Sequence, residues 1–235
     1  MKALRLKLFQ ETACYKKPSA FKVGETYPLP PYSTVKGMLH HLIDADSYVP
    51  MKICIQGNYE TRLIDYQRHY FYKKTNVSEF PLILDGLGGT YYYEHMTTMP
   101  IYMHLLLHVY LVIHVAAADE VLKRIQTAIQ NGKAISLGRW EDLVRVDECQ
   151  ETQLRETDWD DEIELPYSIY WPADDDRAPV GVPYRLNWKY EIREGIRQWK
   201  KISVRYVQKG EFPESERMLV DNAGLPVIFP KEMEE

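Results

Sequence analysis

Cysteine is scarce in these 235 residues. The three present, Cys14, Cys54 and Cys149, stand far apart, form no C-x-x-C pair and have no histidine at zinc-ligand spacing. Neither a disulfide framework nor a structural zinc site is implied. Long apolar runs are missing too. The longest, Leu105 to Ala118, is broken by His108 and His114 and falls short of the roughly 20 residues that a membrane-spanning helix requires. The opening Met1-Lys2-Ala3-Leu4-Arg5-Leu6-Lys7 alternates charge with apolar residues and lacks the apolar core and cleavage site of a secretory signal, so a cytoplasmic protein without a membrane partner is expected. No G-x-S-x-G elbow, Ser-His-Asp order, G-x-x-x-x-G-K-[ST] loop or G-x-G-x-x-G fingerprint occurs. Nucleotide hydrolysis and dinucleotide redox chemistry therefore lose their usual support, and no cofactor is expected.

Metal binding fares no better. His104 and His108 would share a strand face about 13 Å apart at ~3.3 Å rise per residue, too far for one ion. The acids Asp158, Asp160, Asp161, Glu162 and Glu164 lack the glycine-centred spacing of a calcium loop and read as a solvated face.

What is present suits a folded chain: 45% hydrophobic and 27% charged residues supply one large or two small cores. Leu4, Leu6 and Leu8 alternate with Arg5, Lys7 and Phe9, the period of a strand with one buried face. After a loop rich in proline, Ser33 is placed to cap a helix with an apolar stripe at Val35, Met38, Leu39, Leu42 and Ile43, leaving Lys36, Gly37, His40 and His41 off it. Residues 53–64 read as a second strand bulged near Gly57, and 65–100 as a long excursion shaped as a hairpin. A strand from Ile101 to Val115, a helix capped by Asp119 and stopped at Asn131-Gly132, and a short strand from Leu143 to Val146 complete the first part. The order predicts an α+β, ferredoxin-like (RRM-like) βαββαβ unit over 1–148, in which helices cover one sheet face and leave the other available. Residues 149–235 are expected to form a small β-rich subdomain.

Net charge is −5, which argues against indiscriminate polyanion binding, yet the charge is unevenly placed. Residues 1–74 hold 12 basic and 6 acidic side chains, 147–176 hold 12 acids against Arg155 alone, and 185–209 hold 8 bases against Glu191 and Glu194. In the basic first third, Arg5, Lys7, Lys16, Lys17, Lys36, Arg62, Arg68, Lys73 and Lys74, with Arg139 after Gly138, are interleaved with Tyr15, Tyr32, Tyr66, Tyr70, Tyr72 and Trp140. Cations hold phosphates and aromatic rings stack on unpaired bases, so the mixture suits single-stranded RNA better than duplex DNA. Tyrosine-rich loops also pack against proteins, which keeps a scaffold without RNA as an alternative.

The segment Pro30-Pro31-Tyr32-Ser33-Thr34-Val35-Lys36-Gly37-Met38-Leu39, the opening strand and the late Leu137-Gly138-Arg139 resemble the CRISPR-associated protein 5 family, mainly over residues 1–148. The resemblance implies a ferredoxin-like palm with a β-hairpin thumb inserted at 66–100. It implies a non-catalytic subunit of a type I Cascade-like antiviral complex that grips the 5′ handle of CRISPR RNA and contacts the backbone and large subunits near target DNA. The RNA-binding residues it implies are Ser33, Thr34, Lys36, Gly37, Gly138 and Arg139, with Arg68, Lys73 and Lys74 carried over by location. Arg5, Lys16, Lys17 and His40 join them from the reading of the residues. A type I-C branch cuts precursor RNA without metal through a tyrosine, a lysine and a histidine. Here Asp44-Ala45-Asp46-Ser47-Tyr48 follows the helix and no clear Lys-His pair stands out, so a type I-B-like binding subunit is expected. A metal-independent endoribonuclease with His40 or His41 as base is the alternative.

Overall fold

A single long strand organises the molecule. The computed structural model describes residues 1–20, 23–72, 96–158, 164–213 and 217–233, and within them β5 (Met96–Ala116) pairs with three other long segments. One edge of β5 meets β1 (Lys2–Ala13), from Leu4↔Val115 to Ala13↔Leu106. The other edge meets β3 (Lys52–Asn58) and then β4 (Thr61–Tyr72), the last pair being Tyr72↔Met96. β3 and β4 run along β5 as one line broken at Tyr59 and Glu60. Opposite the break, His108 sits in the left-handed region at φ 48° with its Nδ1 2.5 Å from Glu60 Oε2. The expected second strand thus divides in two at this kink, and Gly57 pairs with Leu111 without the expected bulge. Of the segment 66–100, expected as a thumb, only the ends are described, as parts of β4 and β5, and residues 73–95, with Lys73 and Lys74, lie outside the described residues.

Among the described residues nine strands share one sheet, antiparallel except where the short β2 (Val23–Gly24) meets β5. Its main path is β6 (Arg145–Gln153), β1, β5, β3, β8 (Ser168–Pro172), β10 (Ile196–Val207) and β9 (Val182–Arg193). A second, two-stranded sheet joins β7 (Arg155–Asp158) to β11 (Arg217–Val220). The strand expected at 143–146 is the longer β6, so position 148 falls inside it, and β8, β10 and β9 extend the same sheet.

The helices α1 (Tyr32–Leu42) and α2 (Asp119–Gln130) lie on one side. The expected stripe of α1, Val35, Met38, Leu39 and Leu42, is buried together with Leu4, Leu6, Leu8, Ile53, Ile55 and Ile113. Neither helix is capped by a side chain: Pro31 and Ala118 occupy the cap positions, which puts Ser33 and Asp119 inside the first turn. Gly132 at φ 72° ends α2 as expected.

The opposite sheet face is available only in part. Leu154, Leu165, Met218, Val220, Val227 and Ile228 pack over Ala3, Cys54 and Ala116, so the C-terminal segment covers that end of the face, while farther along it Lys7 stays half-exposed and Tyr110 exposed to solvent. Arg5 lies beneath this cover. Its guanidinium donates to Glu148 Oε1 and Asp221 Oδ2 at 2.6 Å each, and His114 Nε2 lies 3.1 Å from the same Asp221 oxygen. Side chains 114 and 221 are fully buried. Burial pushes the Asp221 carboxyl up, but hydrogen bonds from His114, the Leu225 amide, Arg5 and the Ala223 amide outweigh it and hold the group far below the usual carboxylate range. The expectation that Arg5 meets a phosphate is therefore corrected: its charge anchors the C-terminal segment. No helix among the described residues is long and apolar enough to cross a membrane.

Candidate nucleic-acid interface

The polar side of α1 follows from its sequence. Ser33, Lys36, Gly37 and His40 recur at three- and four-residue spacing, so they share one face away from the buried stripe. The helix ends with two backbone bonds, Ala45 N–H to His40 O and Asp44 N–H to His41 O, with Asp44 left-handed at φ 48°. This closure turns residues 45–49 back alongside the helix. The Val49 amide then donates to His40 Nε2 at 3.0 Å, and Tyr48 stacks near-parallel to the His40 ring at 6.2 Å. With Nε2 accepting, His40 carries its proton on Nδ1 and donates to Lys36 O at 2.8 Å. Burial, with the nearby Lys36 cation, lowers the His40 pKa despite that backbone bond.

The other wall comes from β9 and β10. Lys36 Nζ reaches across to the Trp188 carbonyl at 2.5 Å and lies 4.3 Å from the centre of a Trp188 ring and 5.0 Å from that of Tyr48. Half-burial, assisted by Lys189, brings its pKa down to about 8. Ser33, Lys36, Gly37, His40, residues 45–48, Lys189, Tyr190 and Trp199 enclose a cleft of about 520 Å³, within the range of small-ligand sites. Four of the expected site residues therefore meet here. Of the first turn of α1 Ser33 lines this cleft, and that turn carries no acidic residue to offset the partial positive charge of the helix start.

The remaining expected residues are dispersed. Thr34 is on α1 but does not line the cleft. Lys16 is exposed at a bridge to Thr26, while Lys17 pairs with Glu25 at 2.5 Å and sits 5.6 Å from the Tyr184 ring centre. Arg68 is exposed on β4, opposite Pro100. Arg139 is committed to carboxylates, Nη2 to Asp142 Oδ1 at 2.6 Å and Nη1 to Glu141 at 2.9 Å. Gly138 beside it has φ 111°, and a Cβ there would lie 2.8 Å from Asp142 Oδ2 and 3.0 Å from Cys14 O. The Leu137-Gly138-Arg139 turn is thus built around buried Asp142, which also accepts from the Cys14 amide. Among the described residues no group of His, Cys, Asp or Glu side chains could hold a metal ion.

Sequence reasoning missed Tyr48, Lys189, Tyr190 and Trp199. The basic block 185–209 is visible in the sequence, as are its interleaved aromatics, but nothing local tells that this segment folds back onto α1 across a separation of 152 positions.

The sequence profile described as CRISPR-associated protein (Cas_Cas5) matches residues 3–198 of this chain. No curated protein matches it. Among solved structures, a chain of a "CRISPR RNA-guided surveillance complex" is similar with a TM-score of 0.55 at 13% identity, over 99% of this chain and 96% of that one. A CRISPR protein from Archaeoglobus fulgidus gives 0.47 at 12% identity, over 97% and 99%.

Proposed function

The chain belongs to the CRISPR-associated Cas5 family, and on that premise we propose that it is an RNA-binding subunit of a type I Cascade-like complex, holding the 5′ handle of the guide RNA. The observation that carries the reading is the convergence of Ser33, Lys36, Gly37 and His40 with Tyr48, Lys189, Tyr190 and Trp199 around one cleft. Cations and a helix N-terminus take phosphates, and the rings offer stacking surfaces to unpaired bases.

The strand order β6-β1-β5-β3, with α1 and α2 on one side, supports reading the first part as a ferredoxin-like palm, and the β4–β5 arms support reading 66–100 as its thumb. Residues 149–235 are then a β-rich addition that widens the palm sheet and covers part of its second face. In this reading Arg68 with Lys73 and Lys74 on the thumb, and Lys16 and Lys17 at the end of β1, extend the RNA path, while Gly138 and Arg139 shape a turn beside it. The backbone and large subunits are the protein partners, and target DNA passes close by.

One observation bears on the endoribonuclease alternative: a tyrosine, a lysine and a histidine, Tyr48, Lys36 and His40, do gather in the cleft. Both ring nitrogens of His40 are engaged by backbone groups, however, and Lys36 is tied to Trp188 O. Those contacts fit a holding site better than a proton-transfer site.

The test is binding of repeat-derived handle RNA to the full chain with Lys36→Glu. A loss of at least roughly tenfold at moderate salt, larger than that of a charge reversal at exposed Lys123 on α2, supports the reading. Equal affinities for the wild type and Lys36→Glu would refute it.

A further inference from the structure

Beyond the cleft, β9 and β10 continue as a two-stranded ribbon. Every residue from Tyr190 to Lys201 is exposed, so the ribbon projects past the core. Its tip is a two-residue turn, Glu194 at φ 52° and Gly195 at φ 74°, the left-handed pair that matches strand twist and makes a stiff hairpin. A ribbon this exposed gains little from burial, yet it carries Tyr190, Ile192, Ile196 and Trp199 into solvent.

The pairing sorts its side chains by face. Tyr190 opposes Trp199 and Ile192 opposes Arg197 on one face. There the Tyr190 and Trp199 rings meet edge-on at 5.1 Å, and the Arg197 guanidinium lies 4.7 Å from the Tyr190 ring centre. On the other face Lys189 opposes Lys200 directly, with Lys201 at the adjoining bulge. Like charges set opposite each other destabilise a sheet. Glu191 offsets them only in part, because its carboxylate is engaged first by Arg193 at 2.9 Å. Cations on both faces of a ribbon that also presents aromatic rings are complementary to an unpaired polyanion. A protein partner would have to bring carboxylates to the lysine pair as well as apolar groups to the rings, whereas an unpaired RNA supplies phosphates and stacking bases together.

Continuity selects the occupant. Tyr190 and Trp199 are both cleft wall and ribbon face, so a strand leaving the cleft beside Lys36 runs directly onto them. We propose that the β9–β10 ribbon is a second contact for the same unpaired RNA, its bases stacking on Trp199 and Tyr190 while Arg197, Lys200 and Lys201 take phosphates. This rests on the handle-binding reading and extends it to a surface formed by the C-terminal part of the chain.

The experiment titrates the full chain with a fluorescein-labelled unpaired oligouridylate, and with its oligothymidylate counterpart, across a range of salt. Tyr190→Ala and Trp199→Ala should each weaken RNA binding by roughly tenfold to a hundredfold. The combined Arg197→Gln, Lys200→Gln and Lys201→Gln variant should lower the salt slope by about 0.7 for each phosphate no longer neutralised, about 2 in all. All the altered side chains are exposed, and circular dichroism melts should match wild type. Wild-type affinity and slope in the Arg197, Lys200 and Lys201 variant overturn the proposal whatever Tyr190→Ala and Trp199→Ala do, because those two rings also wall the cleft. If Lys36→Glu still weakens binding in that case, the cleft reading survives without the ribbon; if it does not, both fail. Preference for oligothymidylate overturns the assignment to RNA. Ribbon variants that bind RNA normally but no longer assemble with the other subunits make the ribbon a protein contact, which also overturns it.

Discussion

The ammonium of Lys36 on α1 donates to the main-chain carbonyl of Trp188 on β9 while lying over that residue's own ring. The contact joins the first helix to a strand 152 positions later, and it holds the cation half out of water. Burial, then Lys189, sets its pKa at about 8, so its charge disappears in an accessible range. RNA affinity is expected to fall as pH rises through that value, with bound phosphate shifting the fall upward. Lys36→Arg, which stays protonated, should flatten the profile. For stability the sign is opposite. The unfolded chain holds this proton up to the ordinary 10.5 and the folded chain releases it near 8, so stability should rise with pH between the two. Binding isotherms and thermal melts across that window check both directions, and a pH-independent affinity in the wild type would remove Lys36 from the contact.

Gly37 gives a test in which stability and binding move apart. It sits inside α1, is exposed, and a Cβ built on it meets nothing within 4 Å. Gly37→Ala should therefore stabilise the helix by about 0.5–1 kcal/mol. If RNA backbone approaches this turn closely, the same methyl weakens binding several-fold. A higher melting temperature with unchanged RNA affinity would mean that no strand comes near Gly37.

The buried group of Arg5, His114 and Asp221 should matter for folding and not for RNA. Asp221→Ala leaves Arg5 without its innermost partner and is expected to cost about 3–5 kcal/mol. Arg5→Met combined with Asp221→Leu should cost less, because neither charge is stranded. Asp221 is held below its ordinary 3.8; its contribution is complete above that value and drains away as pH falls beneath it. The stability gap between wild type and Asp221→Ala, measured by denaturation followed through tryptophan fluorescence, should thus narrow as pH falls below that value. RNA affinity of the Arg5→Met and Asp221→Leu double variant should equal wild type, and a weaker affinity there would return Arg5 to the interface.

The contrast between Lys36 and Arg5 shows what is legible in the sequence. Period reading places the α1 stripe, both helices and the leucines of β1 correctly, because those patterns are local and the sheet they pack on is wide. It sets Arg5 and Lys7 on the face opposite the leucines, also correctly, and leaves that face open, which holds at Lys7 and fails at Arg5. The error there is one of cover: strand alternation says which way a side chain points and nothing about what arrives later to bury it. Part of the cover is Met218 and Val220 on β11, and four residues are too few for their alternation to stand out as a strand period. The cleft is half legible for the same reason. The α1 wall follows from helical spacing, whereas the β9–β10 wall depends on packing against α1 that no neighbouring residue announces.

The Gly138-Arg139 turn should prove structural. Gly138→Ala forces a side chain into φ 111° and against Asp142 and the Cys14 carbonyl, a strain of about 1–3 kcal/mol. Asp142→Ala should be as damaging, because it frees the amides of Cys14 and Arg139 and the Arg139 guanidinium together. Melting experiments measure both. A Gly138→Ala protein as stable as wild type with weakened RNA binding would make the turn a direct contact after all.

The gathering of Tyr48, Lys36 and His40 should bind RNA without cutting it. Self-cleavage requires a base that can accept the 2′-hydroxyl proton, and His40 has neither nitrogen spare: Nε2 accepts from Val49 and Nδ1 donates to Lys36 O. Releasing the ring would cost the bond that folds residues 45–49 against α1. Incubation of repeat RNA with the full chain in EDTA should leave it uncut. His40→Ala should then lower stability and loosen RNA binding through the displaced Tyr48, without altering any product pattern. A discrete fragment that disappears in His40→Ala or Tyr48→Phe would show that the bound strand rearranges this ring, and would turn the cleft from a grip into a catalytic site.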